Sequence, residues 1–268
     1  MTRVLSGAVL IAVAVAAVWF APPLVFKAVA FLLLCAAATE LVGLARASGL
    51  SIPVWPSVTG ALITLGVLAF PASTSGREAA PLQVALLAQF VAVSGVILGG
   101  WNGGPDALAR VSASLFPSIY LALPLGALVA IREQEGPAAL FLLMLTVMVS
   151  DIAQYYTGRL AGRRPLAPVI SPRKTVEGAL GGLVFGALVL AIVGAWWLPR
   201  VPMALRALVG VTIVALGITG DLFESMLKRS AGVKDSSALI PGHGGVLDRI
   251  DALLFAAPVY YTVLQYTS

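Results

Sequence analysis

The residues able to do chemistry collect in two stretches of this chain. The first, SMLKRSAGVKDSSALIPGHGGVLDRID from Ser225 to Asp251, carries Lys228, Arg229, Lys234, Asp235, Asp248, Arg249 and Asp251, with the only histidine, His243. The second runs from Asp151 to Glu177 and ends on Ser171-Pro-Arg-Lys-Thr-Val-Glu-Gly178. Just ahead of the first stretch, Asp221-Leu-Phe-Glu-Ser-Met-Leu-Lys228 closes an apolar run. On a helix, positions i, i+4 and i+7 share a face, so Asp221, Ser225 and Lys228 fall on one stripe. Asp248 and Asp251, three apart, fall on another. Oxygen ligands from Asp and Ser suit hard cations, and Mg²⁺ commonly takes one or two carboxylates plus substrate phosphates. The plainer alternative is that these acids pair with Lys228, Arg229 and Arg249.

Between the acids, Pro241-Gly-His-Gly-Gly245 is a turn in which Gly244 and Gly245 let backbone amides approach an anion closely. A glycine-rich connection between two helices reads the same way. His243 makes no zinc site, because no further histidine exists and the single cysteine, Cys35, sits in an apolar run. It is either a phosphate contact or a polar loop residue. In the second stretch, Arg173, Lys174, Ser171 and Thr175 are the donor types that hold phosphates. For Arg159, Arg163 and Arg164 two readings stand, phosphate donors or a basic loop that sets membrane orientation, with the loop slightly preferred. Asp151 lies inside an otherwise apolar run, where a lipid-facing carboxylate is costly and marks a site.

The frame around these stretches is apolar. Of 268 residues, 59% are hydrophobic and 11% charged, with a mean hydropathy of +0.98. Soluble domains are about 25% charged, so an all-α, polytopic integral membrane protein is the expected class. Apolar runs of near-spanning length occur at residues 4–20, 24–44, 54–70, 81–99, 115–131, 138–156, 179–198, 203–227 and 252–266, which gives about nine spans. The first is expected to be an uncleaved span and not a signal peptide, given how many follow. Residues 1–135 read as framework and dimer surface, and 136–268 as the catalytic region. Nine spans place twelve basic residues on one side, both polar stretches included, and five on the other (Lys27, Arg77, Arg132, Arg200 and Arg206). The positive-inside rule puts the richer side in the cytoplasm. Lys27 is able to snorkel toward headgroups. A net charge of +5 does not indicate nucleic-acid binding, because the basic residues sit in loops without interleaved aromatics.

The run Ser225-x-Leu-Lys-Arg-x4-Lys234-Asp235-x-Ser237-x2-Ile240-Pro241-x-His243-Gly-Gly-Val-x-Asp248-Arg-Ile-Asp251 resembles the signature of the phosphatidate cytidylyltransferases, the CDP-diacylglycerol synthases. Gly220-Asp-Leu-Phe-Glu-Ser225, Asp151 with Tyr155, Gly158-Arg159 and Gly162, and Ile170-Ser-Pro-Arg-Lys-Thr with Glu177-Gly178 resemble the same family. The resemblance covers residues 150 to 251; the first five spans match only in being apolar. It implies a multi-pass, dimeric enzyme of the inner cell membrane that joins CTP and phosphatidate, giving CDP-diacylglycerol and pyrophosphate. It also implies an Mg²⁺ requirement within a paired-cation centre, the second cation's identity being open. Asp221 and Asp248 become the leading cation ligands, with Ser225 and Asp251 beside them. Lys228, Arg229, Lys234 and Asp235 complete the catalytic set. Ser171, Arg173, Lys174, Thr175, Glu177, Asp151, His243, Gly244, Gly245 and Arg249 are expected near substrate. Two rivals remain at this stage: a different CTP- or CDP-alcohol-dependent lipid phosphotransferase, and a cation-coupled transporter built on Asp151 and Asp221.

Overall fold

A computed structural model describes residues 2–71, 79–240 and 244–267, without side-chain detail at 2–6 and 79–80. Helices account for nearly all of it. They are α1 (Thr2–Phe20), α2 (Pro23–Ala47), α3 (Val54–Ala69), α4 (Ala79–Gly99), α5 (Ala107–Pro117), α6 (Leu123–Ala130), α7 (Pro137–Ala161), α8 (Val176–Trp197), α9 (Met203–Ser230) and α10 (Leu247–Thr267). Prolines mark several starts, as expected where the missing N–H is an orphan anyway: Pro23 opens α2 and Pro137 opens α7.

Helices α5 and α6 form one continuous rod from Ala107 to Glu135 through two π-helical turns, Ser118–Ala122 and Ile131–Glu135. Pro117 supplies no N–H to the turn before it, which is a physical reason for the first widening. The fifth apolar run, expected at residues 115–131, is therefore the middle of a longer rod. With that rod counted once, the described residues contain nine helical rods, each overlapping one of the nine apolar runs. Six of them are long and apolar enough to cross a membrane, while residues 7–20 and Val54–Ala69 are shorter apolar helices. The tenth helix is 21 residues long but opens on Asp248, Arg249 and Asp251.

The all-α expectation needs one amendment. The segment after α7 is not plain loop: β1 (Pro165–Ala167) pairs antiparallel with β2 (Ser171–Thr175). Such short, proline-flanked strands leave no readable alternation in a sequence.

Consecutive helices α7, α8, α9 and α10 pack side by side, and α10 turns back onto α6. Between α7 and α8 the close approach depends on small residues. A Cβ at Gly178 would lie 2.8 Å from the Gln154 carbonyl oxygen, and one at Gly182 would lie 2.9 Å from Ser150 Oγ. The first π-helical turn carries Tyr120 into a ring cluster, 5.0 Å from Phe116, 5.3 Å from Phe223 on α9 and 6.2 Å from Phe255 on α10 between centroids. This cluster locks the N-terminal rods behind the helix ends that bear the acids.

At the far end of the bundle the polar contacts are fewer. Arg132 donates to the Ala21 carbonyl at 2.6 Å, and Lys27 pairs with Glu133 at 3.0 Å while lying 4.4 Å over the Phe70 ring. Lys27, read as able to snorkel toward headgroups, is paired within the protein. Arg77 and His243 lie outside the described residues.

Candidate active site

Five helix or strand ends converge on one cleft of about 590 Å³: the end of α7, strand β2, the start of α8, the end of α9 and the start of α10. That volume suits a nucleotide-sized ligand, since small-molecule sites run about 300–1,000 Å³. Both polar stretches meet there. Of the residues expected in the site, Asp151, Arg173, Lys174, Thr175, Asp221, Lys228, Asp248, Arg249 and Asp251 line the cleft.

The acids divide into two groups by their partners. Asp221 on α9 receives the Lys174 ammonium from β2. Asp151, on α7, accepts from Gln154 Nε2 at 3.0 Å. Asp251 lies within electrostatic reach of both Asp221 and Asp151, so three carboxylates from α7, α9 and α10 share one region. Asp248 is held differently. Its Oδ1 accepts from Lys228 Nζ at 2.5 Å, and its Oδ2 accepts from Ser236 N at 3.0 Å, Ser236 Oγ at 2.7 Å and Gly245 N at 2.7 Å. Lys228 also pairs with Glu224 one turn earlier on α9. The plainer alternative of ion pairing is therefore partly what the geometry contains: Lys228 pairs with Asp248 as it expected. Lys174, a partner it did not consider, takes Asp221.

The donor set fits a hard divalent cation. Every candidate ligand is a carboxylate or hydroxyl oxygen; a carboxylate has about four lone-pair positions, and since Asp248 already accepts four hydrogen bonds it would bind a cation by giving one of them up. Among the described residues, no three His, Cys, Asp or Glu side chains form a ready-made cage.

Other expected residues sit at the margin. Ser225 Oγ lies 3.5 Å from Asp221 Oδ1, at the outer limit of a hydrogen bond and away from the cleft wall. Thr175 lines the cleft but commits its hydroxyl to capping α8, accepting from Gly178 N at 3.1 Å. Glu177 does not line it; its carboxylate accepts from the Arg163 and Arg164 amides at 2.9 and 3.2 Å, pinning the hairpin to α8. Arg229 ties the turn at Ile170 to Val233 through their carbonyls, at 3.4 and 2.9 Å. Ser171 opens β2, opposite Ala167. Lys234 and Asp235 are exposed beyond the cleft lining. Gly244 takes a positive φ of 77°, where a Cβ would lie 2.6 Å from Asp248 Oδ2. The Gly245 amide serves Asp248, so the amide expected to cup an anion is committed within the protein.

Several site residues escaped the sequence reading. Arg159, read as an orientation signal, lines the cleft and donates to the Tyr155 hydroxyl at 3.2 Å. Glu224 is 1% exposed against Lys228. Glu40, on α2, is 7% exposed and accepts from Ser236 Oγ, Ser237 Oγ and the Val246 and Leu247 amides at 2.7–3.0 Å. Its signal was available: it is the one acid inside the apolar run at residues 24–44.

Comparisons with known proteins give the family. A family described as the cytidylyltransferase family matches residues 1–267, so the likeness extends through the first five rods, beyond the 150–251 region where the motifs lie. A phosphatidate cytidylyltransferase of Mycobacterium tuberculosis is 34% identical over 266 residues, covering 96% of this chain and 79% of that protein. A phosphatidate cytidylyltransferase of Aquifex aeolicus is 39% identical over 151 residues, 56% of each chain. One from Synechocystis is 46% identical over 138 residues, covering 50% of this chain and 46% of the relative. With a match along almost its whole length, the chain belongs to the cytidylyltransferase family.

Proposed function

We propose that this chain transfers the cytidylyl group of CTP to phosphatidate, forming CDP-diacylglycerol and pyrophosphate. The observation that carries the reading is the convergence of both polar stretches on a single cleft whose wall alternates acids with Lys174, Lys228, Arg173, Arg249 and Arg159. Family membership supports the reaction class, and the names of the relatives support the substrates.

In this reaction a phosphate oxygen of phosphatidate attacks the α-phosphorus of CTP, and the bond from that phosphorus to the bridging oxygen of the β-phosphate breaks. The nucleophile is already anionic, so no strong general base is required. The difficulty is bringing two anions together. Lys174, Arg173, Arg159 and Arg249 supply preorganised positive charge at the cleft for phosphate oxygens. Asp221 and Asp248, with Asp251 and Asp151 close by, would hold Mg²⁺. When bound there, the cation would neutralise phosphate charge and act as a Lewis acid. Each leading ligand is held by a lysine, Lys174 on Asp221 and Lys228 on Asp248, and a bound cation would compete with those ammonium groups for the carboxylates, Lys228 keeping Glu224 as a second partner.

The cleft would lie at the cytoplasmic surface of the inner membrane, on nine spans. Basic residues crowd the cleft end of the bundle, which favours that orientation. One substrate carries acyl chains and the other is water-soluble, which requires a site at the interface. A homodimer rests on family resemblance alone.

The test is purified full-length protein in detergent, with phosphatidate, Mg²⁺ and CTP labelled at the α- or γ-phosphate. Label from the α position enters lipid and label from the γ position leaves as pyrophosphate. Label from the γ position in lipid would make the protein a kinase. Absence of any lipid product, with solute uptake into proteoliposomes, would make it a transporter.

A further inference from the structure

Glu40 belongs to the N-terminal rods, yet its contacts all reach across to the loop before α10. Oε1 accepts from Ser237 Oγ at 2.7 Å and from Val246 N at 3.0 Å; Oε2 accepts from Ser236 Oγ at 2.9 Å and from Leu247 N at 2.8 Å. The first amides of a helix have no partner within it, and that end carries partial positive charge. Val246 and Leu247 supply such amides for α10. Glu40 therefore caps α10 from a helix more than 200 residues upstream, and the same carboxylate holds Ser236 and Ser237 at the other end of the loop.

Asp248 is one residue beyond this cap. Its Oδ2 shares Ser236 Oγ with Glu40, at 2.7 and 2.9 Å respectively. A hydroxyl has one proton, so Ser236 donates to one carboxylate at a time while the other relies on its amide donors. The remaining donors to Asp248 Oδ2, Ser236 N and Gly245 N, come from the two loop ends that Glu40 draws together. Gly245 has no room to be anything else: a Cβ there would collide with Ser236 Oγ and with both Glu40 carboxylate oxygens.

We propose that Glu40 is a positioning residue for the transfer reaction: it staples Ser236–Ser237 to Val246–Leu247 and so fixes the Asp248 carboxylate in the cleft. The proposal rests on the functional reading above. It gives the N-terminal rods a part in catalysis beyond framework. Glu40→Gln is the discriminating change, because an amide of the same shape turns one acceptor into a donor facing donor groups. Glu40→Asp keeps the charge but shortens the reach by one methylene.

The experiment combines steady-state kinetics, thermal melting and hydrogen exchange on full-length protein in detergent. Supporting residues behind a ligand typically contribute 10–100-fold. Glu40→Gln is accordingly expected to lower kcat by ~10–100-fold with the KM for phosphatidate unchanged, and to speed exchange at the Val246 and Leu247 amides while α7 and α8 stay protected. Glu40→Asp restores part of kcat, and Ser237→Ala, which removes one donor, gives a smaller loss. Unchanged kcat in Glu40→Gln would overturn the proposal. So would faster exchange throughout the bundle with no rescue by aspartate, which marks a purely structural role. If the unmodified protein makes no lipid product, the functional reading fails on its own. Exchange at Val246 and Leu247 then still decides whether Glu40 holds the loop.

Discussion

The two ends of α9 each bury a cation, and they solve the problem in opposite ways. Lys228, near the C-terminal end, is 8% exposed; Arg206, near the N-terminal end, is 9% exposed. Lys228 sits between Glu224 and Asp248, and Asp248 in turn takes three donors from Ser236 and Gly245. Arg206 has two guanidinium nitrogens, Nε and Nη1, with no hydrogen-bond partner among the described residues. Equal burial thus accompanies a cation between two carboxylates at one end and a guanidinium with two unpartnered nitrogens at the other. The contrast teaches that burial alone does not mark function. What distinguishes the cleft end is that Lys228 and Asp248 are tied to each other across α9 and α10, and Asp248 also to the loop residues Ser236 and Gly245.

Removing the shared cation should break the comparison most severely. Lys228→Met leaves the Glu224 and Asp248 carboxylates facing each other without their common partner. Stripping one member from a buried pair costs about 3–5 kcal/mol, and here two acids are orphaned at once. The expected result is a large drop in melting temperature in detergent together with loss of CDP-diacylglycerol formation. A variant that melts like the parent would mean that solvent reaches these acids freely. Asp248→Asn comes next. It keeps the shape and lets Oδ1 still accept from Lys228, but turns an amide donor toward the Ser236 and Gly245 donors, so melting is followed alongside turnover. Losing a preorganised charge contact typically costs on the order of 10²–10³ in rate. Turnover should fall by about that factor, and Mg²⁺ titration should fail to restore it; near-normal turnover would remove Asp248 from the cation's ligands.

The helices were legible because apolarity is so concentrated: each apolar run became a rod, and six of the rods are long and apolar enough to cross a membrane. The i, i+4, i+7 stripe grouped Asp221, Ser225 and Lys228 on one helix face, and of these Asp221 and Lys228 line the cleft. It could not tell Ser225 from Glu224, since both neighbour Lys228 on adjoining helix faces, and the fold chose Glu224. The β1–β2 hairpin was invisible because its strands are too short to show a period. Glu40 was the largest omission. Its meaning depends on α2 lying against a loop more than 200 residues away, and no local pattern encodes that proximity. The lone carboxylate in an apolar run was nonetheless a sign that something across the fold had to receive it.

The smallest expected effect sharpens the comparison from the other end of α9. Arg206 packs its stem against α8, where a Cβ at Gly194 would lie 3.1 Å from Arg206 Cδ. The aliphatic part of the side chain therefore fills space usefully, while two head-group nitrogens, Nε and Nη1, lack partners among the described residues. Methionine reproduces much of that stem without the charge. Burying a polar group without compensation costs about 1–3 kcal/mol in proteins, but shortening the side chain also sacrifices contacts. Arg206→Met is thus expected to change stability by about 1 kcal/mol or less in the stabilising direction, with cytidylyl transfer unaffected. Melting in detergent and in lipid nanodiscs separates two accounts of this arginine. A neutral or raised midpoint in both means the charge is an uncompensated burden. A midpoint lowered only in anionic nanodiscs means that headgroup phosphates supply the missing partners, and the two ends of α9 then differ only in whether their counter-charges come from protein or from lipid.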